Sequence, residues 1–235
     1  MKIVFVNRFF FPDHSATSQL LTDVTVHLAE AGYEVAVVTS RQTYDNPLAL
    51  YPARANEQGV RVVRVWSTMF GRRHLPGRTL DYATFYASAL WSLLALTKKD
   101  DVIVAKTDPP LISVLAAMVT RLRGALLVNW IQDLFPEVVS SLLGGRAGKF
   151  FWSLRSLRNW SLLSAKWNVV IGKQMQLRLE REGIPAENIQ VIHNWADGQA
   201  IRPIDREHNE LRREWTLQRR FVVGYSGNFG RAHDC

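Results

Sequence analysis

Short unbroken apolar runs recur along this chain, and each is followed by a stretch long enough for a helix. The runs at residues 2–6, 34–39, 60–66, 102–105, 126–131, 168–171 and 189–192 are rich in Val and Ile. Continuous runs of this kind suit strands covered on both faces, as in a parallel sheet clothed by helices. The first helix-length segment carries Leu20, Leu21, Val24 and Leu28 on one face, and Gly32 supplies its left-handed stop. Others follow at 79–97, 111–122, in a helical region reaching about residue 166, and at 174–182. The rhythm predicts an α/β fold with a doubly wound, mostly parallel, Rossmann-like sheet over residues 1–196. Residues 197–220, dense in both charge signs, read as an interdomain linker with one short helix near 207–215. Residues 221–235 read as the first strand, 221–225, and Gly-rich loop of a truncated second α/β domain.

With 235 residues, 47% of them apolar, the chain can bury a core, which excludes collagen-like and wholly disordered classes. Its one cysteine is Cys235, so no intrachain disulfide can form and a reducing compartment is expected. The first apolar run is broken by Asn7 and Arg8, too early for the roughly 7–15 residues of a secretory core. Residues 82–96 contain Ser88 and Ser92 and fall short of the roughly 20 residues that span a bilayer. A cytoplasmic chain without a transmembrane helix is expected. Lys and Arg number 29 against 21 Asp and Glu, a net charge of +8 that favours an anionic partner.

In a doubly wound sheet, ligands bind beyond the carboxyl ends of the strands where the strand order reverses. In the common order the first and fourth strands are neighbours there, so loops 7–18 and 107–110 meet, with 132–137 next in line. No G-x-G-x-x-G follows the first strand, no acidic residue ends the second, and no P-loop occurs, which argues against dinucleotide dehydrogenases and P-loop nucleotidases. No Asp-x-Asp or paired-histidine spacing offers a metal site. What remains is a helix start rich in hydroxyls, Ser15, Thr17 and Ser18, whose free amides suit an anion. His14 fits either acid-base chemistry or local hydrogen bonding. Asp133 and Glu137 fit either the orientation of a sugar hydroxyl or the first turn of a helix. Asp108, before two prolines, fits a turn as well as a ligand contact.

Residues 138–179 contain no Asp or Glu. Within them Arg155, Arg158 and Lys166 fall in roughly an 80° sector of a helix, with Trp152 and Trp160 interleaved. Basic residues beside aromatics suit an anionic membrane surface, where each contributes about 1 kcal/mol. The same pattern also fits a helix that covers the sheet and exposes a basic edge. No nucleic-acid motif accompanies the charge, so nucleic acid is not expected as a partner.

Six segments occur in a recognisable order. They are Phe10-Phe11-Pro12-Asp13-His14-Ser15, Gly32-Tyr33-Glu34-Val35 and Lys106-Thr107-Asp108-Pro109-Pro110, then Trp130-Ile131-Gln132-Asp133-Leu134-Phe135-Pro136-Glu137, Val191-Ile192-His193-Asn194-Trp195 and Gly224-Tyr225-Ser226-Gly227-Asn228-Phe229-Gly230-Arg231. Together they resemble the retaining GT-B glycosyltransferases of family 4, and within it the bacterial branch that builds surface polysaccharides, fucosamine transferases included. The resemblance implies two Rossmann-like domains, the N-terminal one for the acceptor and the C-terminal one for the donor. It implies transfer of a hexose or amino sugar from a nucleotide-diphosphate sugar to a lipid-linked or saccharide acceptor. Neither a metal nor a cofactor is implied beyond that nucleotide sugar co-substrate, and the enzyme is peripheral on the inner face of the cell membrane.

Carried over by position, His14, Asp133 and Glu137 are the catalytic candidates, and Ser15, Thr17, Ser18 and Asp108 the substrate contacts. Gly227, Gly230 and Arg231 open the donor-phosphate site, and Arg155, Arg158, Lys166, Trp152 and Trp160 face the membrane. Two departures stand out: Ser15-Ala16-Thr17 replaces a glycine pair common in relatives, and Gln132-Asp133 stands where relatives outside the branch have a histidine. The family's donor motifs lie in the second domain, so this chain alone is expected to be inactive. The alternative is a non-catalytic acceptor- or membrane-binding module that needs a separate donor-binding subunit.

Overall fold

The computed structural model describes residues 1–43, 49–70, 75–136 and 149–225. Its elements are β1 (Lys2–Val6), α1 (Ala16–Glu30), β2 (Glu34–Ser40), β3 (Arg54–Glu57), β4 (Val60–Val65), α2 (Leu75–Leu96) and β5 (Val102–Lys106). These are followed by α3 (Ile112–Arg123), β6 (Leu126–Ile131), α4 (Lys149–Ser164), β7 (Trp167–Val170), α5 (Lys173–Arg181), β8 (Ile189–Val191) and α6 (Glu210–Glu214). The strands form one eight-stranded sheet in the order β3-β4-β2-β1-β5-β6-β7-β8. Every neighbouring pair is parallel except β3 and β4. The expected doubly wound α/β sheet is therefore present, with β1 flanked by β2 and β5.

Both faces of the sheet are covered, which is why the strand sequences lack polar alternation. Val4 and Val6 point to one side, where Phe85, Ala89 and Leu93 of α2 and Ile112, Ala116 and Val119 of α3 bury them. Phe5 points to the other, against Leu20 and Leu21 of α1 and Val35 and Val37 of β2. Ser15, one of the three hydroxyl residues at this helix start, caps α1, its hydroxyl accepting from the Ser18 amide at 3.2 Å, and Gly32 follows with φ of 88°, the left-handed stop that the sequence predicts.

The structure corrects several expectations. The segment before β4, read as a polar loop, contains the short antiparallel β3. Gln58 and Gly59, with φ of 51° and 85°, supply the two left-handed residues that a tight hairpin requires. The buried Arg64 guanidinium donates to the Phe11 carbonyl at 2.8 Å and lies 3.7 Å from Glu57, pinning this edge to the loop after β1. α3, expected at 111–122, is found one residue along, at Ile112–Arg123. Residues 221–225 form no strand: Phe221 and Val223 are exposed, and none of the described strands pairs with them to complete a ladder. The helix expected at 207–215 shortens to α6, capped by Asn209. The chain divides into two compact units, Met1–His193, which holds the sheet, and Asn194–Cys235. Among the described residues no helix is long and apolar enough to cross a membrane.

α4 docks through buried amides. Asn129 of β6 donates to Asn168 of β7 at 3.0 Å and to the Ser161 carbonyl of α4 at 3.3 Å. Asn168 in turn donates to the Leu162 carbonyl at 3.0 Å. This contact turns Arg158 inward, 5% exposed, and Trp160 half into the core, so neither lies on the basic outer sector the sequence predicts. Lys166 lies beyond the last helical residue, Ser164, so the helical wheel does not govern it; it is exposed beside the Trp167 ring, at 5.8 Å. Arg155 and Trp152 are exposed as expected.

Glu182 joins α4 to α5. It accepts from both Arg155 and Asn159 and lies 3.4 Å from Arg158 and 3.3 Å from Arg178, with its side chain 5% exposed. Burial pushes the carboxyl up, but the hydrogen bonds from Arg155 and Asn159 and the charges of Arg155 and Arg158 outweigh it and hold it below its ordinary value. Its contribution is therefore present at neutral pH and lost as pH falls through the lowered value. Glu182→Gln removes a charge that the buried Arg158 faces at 3.4 Å and is expected to cost about 3 kcal/mol at pH 7 in denaturant unfolding. The deficit should shrink below pH 4.

Candidate functional site

Because β1 lies between β2 and β5, the loops after β1 and β5 diverge and open a crevice at their carboxyl ends. The Arg8 amide donates to the Asp108 carbonyl at 2.8 Å, and the Gln132 amide donates to Thr107 Oγ1 at 3.1 Å. Those two bonds bring the loops after β1, β5 and β6 together, as the sequence predicts. Beside them opens a cavity of about 1000 Å³ walled by α2, the start of α3 and α4.

The cavity floor comes from the strand ends: Lys106, Thr107 and Asp108 after β5, and Asn129 and Asp133 in and after β6. Its walls are largely aromatic and aliphatic, with Tyr82 and Tyr86 on α2 and Phe151 and Leu154 on α4. Tyr86 donates to the Pro110 carbonyl, and burial pushes its phenol up, so it serves as a neutral donor across the physiological range. Tyr82 is held by two cations: the Arg8 guanidinium stacks 4.8 Å from its ring centre, and Arg78 donates to its hydroxyl at 2.9 Å. Leu111, at the cavity edge, has φ of 65°, a left-handed conformation that costs a branched residue on the order of 1 kcal/mol. Such strain persists where neighbours over-determine the backbone, commonly at ligand sites.

Lys106 is the group that reading the sequence missed. It ends β5, is 1% exposed, and its ammonium lies 3.9 Å above the Trp130 ring. The ammonium donates to the Thr17 carbonyl in the first turn of α1 at 2.7 Å. Desolvation lowers its pKa from 10.5 to about 7, with Asp23 opposing the shift. An amine near its midpoint at neutral pH can carry a positive charge toward an anion or give up its proton. The available signal was a lysine closing an otherwise apolar strand, Val102-Ile103-Val104-Ala105-Lys106.

Of the residues singled out from the sequence, Thr17, Asp108 and Asp133 line the cavity, and so does Arg158, assigned above to a membrane face. Asp133 is exposed at the rim. Ser15 is occupied as the α1 cap and shares a 3.3 Å contact with the Thr17 hydroxyl. Ser18 is buried beneath that turn. His14 is exposed on the same loop and does not line the cavity; its carbonyl accepts from Gln19. Glu137, Gly227, Gly230 and Arg231 lie outside the described residues.

The Lys106 environment predicts a pH dependence of stability. The folded state releases its proton near pH 7 and the unfolded chain near 10.5, so between these values the unfolded chain binds more protons and stability rises with pH. Measured against Lys106→Met, the wild-type chain is expected to gain about 1.4 kcal/mol per pH unit from pH 7 toward 10. A difference that stays flat in denaturant melts would show that the ammonium is not desolvated.

Proteins of known name are similar to this chain in sequence or in fold. WbjE of Pseudomonas aeruginosa, a glycosyltransferase by name, is 27% identical over 142 residues, covering 59% of this chain and 35% of WbjE. WcaI of Escherichia coli K12, named for colanic acid biosynthesis as a glycosyl transferase, is 23% identical over 244 residues, covering 98% of this chain and 59% of WcaI. The chain thus spans 35% and 59% of the length of these two curated relatives. Among solved structures, Anabaena HepE in complex with UDP and glucose superposes with a TM-score of 0.56 at 16% identity, covering 93% of this chain and 51% of HepE. Sucrose-phosphate synthase from Thermosynechococcus elongatus gives a TM-score of 0.58 at 14% identity, covering 92% of this chain and 53% of the synthase. These likenesses carry the GT-B fold. Residues 17–195, well over half the chain, match the glycosyl transferase 4-like domain, and the chain belongs to that family.

Proposed function

We propose that this chain provides the acceptor-binding half of a glycosyltransferase that moves a sugar from a nucleotide-diphosphate sugar to a lipid-linked or saccharide acceptor in surface polysaccharide biosynthesis. The carrying observation is the cavity of about 1000 Å³ at the carboxyl ends of β5 and β6, where apolar walls meet a few converging polar groups. Names of relatives support the pathway class, and the UDP and glucose in the HepE structure support a nucleotide sugar as donor.

In this reading the acceptor sugar stacks along Tyr82 and Tyr86 and presents a hydroxyl to Asp133 at the rim. Asp133 orients that hydroxyl and draws its proton as the new glycosidic bond forms, with Glu137, four residues further along the sequence, assigned as a second carboxylate. The departing nucleotide diphosphate develops negative charge, which the first-turn amides of α1 that remain free, together with Thr17, would stabilise, while Ser15 as the cap and the buried Ser18 hold that turn in shape. Lys106, bonded to the Thr17 carbonyl, holds that turn in position and adds positive potential beneath it. His14 lies on the loop leading into the same turn and is assigned to the donor side, Asp108 to the acceptor side. Gly227, Gly230 and Arg231 are assigned to the donor phosphates, and the transferred group to a hexose or amino sugar such as fucosamine.

A full-length protein carrying these residues is expected to release nucleotide from one member of a broad panel of sugar donors once acceptor is added. Asp133→Asn should lower kcat about 100-fold with little change in the donor KM. Turnover that ignores this substitution would remove Asp133 from the chemistry, and silence across the whole panel would overturn the reading.

A further inference from the structure

Where helices cover a sheet, its outermost strands leave a margin at which the covering helix gives out. β3 and β4 form that margin here. Val65 of β4 packs beneath α2 with Phe85 and Ala89. Val63, two residues earlier, points to the same face, and Arg54 of β3 is its direct partner across the hairpin, so the Arg54 side chain projects to that face too. Between this strand pair and α2 opens a groove of about 470 Å³, with Val63 and Val65 on the strand side and Ala87, Ser88 and Ser92 on the helix side. Its size falls within the roughly 300–1,000 Å³ of small-ligand sites.

Two tryptophans border the groove, Trp66 just after β4 and Trp91 on α2, and they are 59% and 77% exposed. Indoles are mostly covered in folded chains, and two left open on one concave surface are not accounted for by packing. The polar groups beside them are Ser88 and Ser92, both half-buried, and the exposed Arg54. Among the described residues, neither the Arg54 guanidinium nor those two hydroxyls has a hydrogen-bond partner. Arg64 also borders the groove, but its guanidinium is spent on the opposite face of the sheet, on the Phe11 carbonyl. No Asp or Glu is among the lining residues, so the groove carries one available charge, and it is positive.

The groove is separate from the cavity described above. On the helical wheel of α2, Trp91 lies roughly 140° from Tyr86 and roughly 180° from Tyr82, so the two sites occupy opposite flanks of one helix.

We propose that this groove is a second site, which binds a carboxylate-bearing oligosaccharide. Trp66 and Trp91 offer electron-rich ring faces to the polarised C–H faces of pyranose rings. Ser88 and Ser92 exchange hydrogen bonds with ring hydroxyls, and Arg54 pairs with the carboxylate through its planar fork. An acyl chain would leave Ser88, Ser92 and Arg54 unpaired among its contacts, and a nucleic acid strand would need a row of cations along its backbone where this groove has one. Binding here holds an acidic glycan away from the cavity and leaves that cavity free. The site is defined by binding alone, so its failure and a failure of the proposed transfer reaction are distinguishable.

The test is isothermal titration calorimetry of the full chain with tetragalacturonate and with neutral cellotetraose, at physiological salt and without any sugar donor. Tetragalacturonate is expected to bind with a Kd of about 1 mM or tighter, and at least about fivefold tighter than cellotetraose. Trp66→Ala combined with Trp91→Ala should weaken both about tenfold or more, with circular dichroism and melting temperature unchanged because both side chains are largely solvated. Trp152→Ala, at an exposed tryptophan outside the groove, should leave binding as it was. Arg54→Gln should bring tetragalacturonate down to the level of cellotetraose. The proposal is overturned if neither oligosaccharide binds, if the paired tryptophan substitutions leave binding intact, or if the preference for the acidic ligand survives Arg54→Gln. A dimer in gel filtration that the same tryptophan substitutions dissolve, with no oligosaccharide bound, would assign the groove to a second copy of the chain and overturn it as well.

Discussion

β1 pairs with β2 on one side and β5 on the other, all three parallel, and the rest of the molecule is arranged around that fact. Parallel neighbours must be connected by crossovers, and a reversal of strand order sends consecutive crossovers to different sides. The loops after β1 and β5 therefore separate above the sheet, and the space between them cannot be filled by either. Two hydrogen bonds, from the Arg8 amide to the Asp108 carbonyl and from the Gln132 amide to the Thr107 hydroxyl, then fix how far the loops part. The cavity follows from topology, and its chemistry from the few side chains that the strand ends deliver.

Those side chains share a physical situation: polar groups held in surroundings that do not solvate them. Lys106 sits against Trp130 under the first turn of α1. Arg158 is buried between the cavity and Glu182, and Tyr86 spends its hydroxyl on a loop carbonyl. Each is costly to bury unless a partner is close. Concentrated at the carboxyl end of the sheet, they account for a site that is cationic at its base and apolar at its sides. That combination suits a ligand with an anionic group and a ring or chain to stack.

Much of the fold was legible because its signals are local. The strand runs, the Ser15 cap and the Gly32 stop each depend on residues a few positions apart. β3 was not, since a four-residue edge strand of Arg, Ala, Asn and Glu carries no apolar run. Only the Gln58-Gly59 turn announced it. The supposed strand at 221–225 shows the reverse case: a strand-like composition that none of the described strands pairs with. The helical-wheel argument failed for Arg158 because a wheel gives angles but not the direction of the sheet, and for Lys166 because the helix ends before it. Asn129 and Asn168 set that direction, and they turn Arg158 inward.

For the site, the sequence by itself determined which loops would meet, because strand order in a doubly wound sheet allows few choices. It also marked Thr17, Asp108 and Asp133 as residues those loops carry. Only the tertiary structure decided the protonation chemistry of Lys106, since its solvation depends on Trp130 and Thr17, distant in the chain. Likewise, only the packing of α2 beside β4 shows that Trp66 and Trp91, far apart in the chain, border one groove with Arg54. Composition records how many tryptophans and arginines a chain has; burial decides which of them meet water.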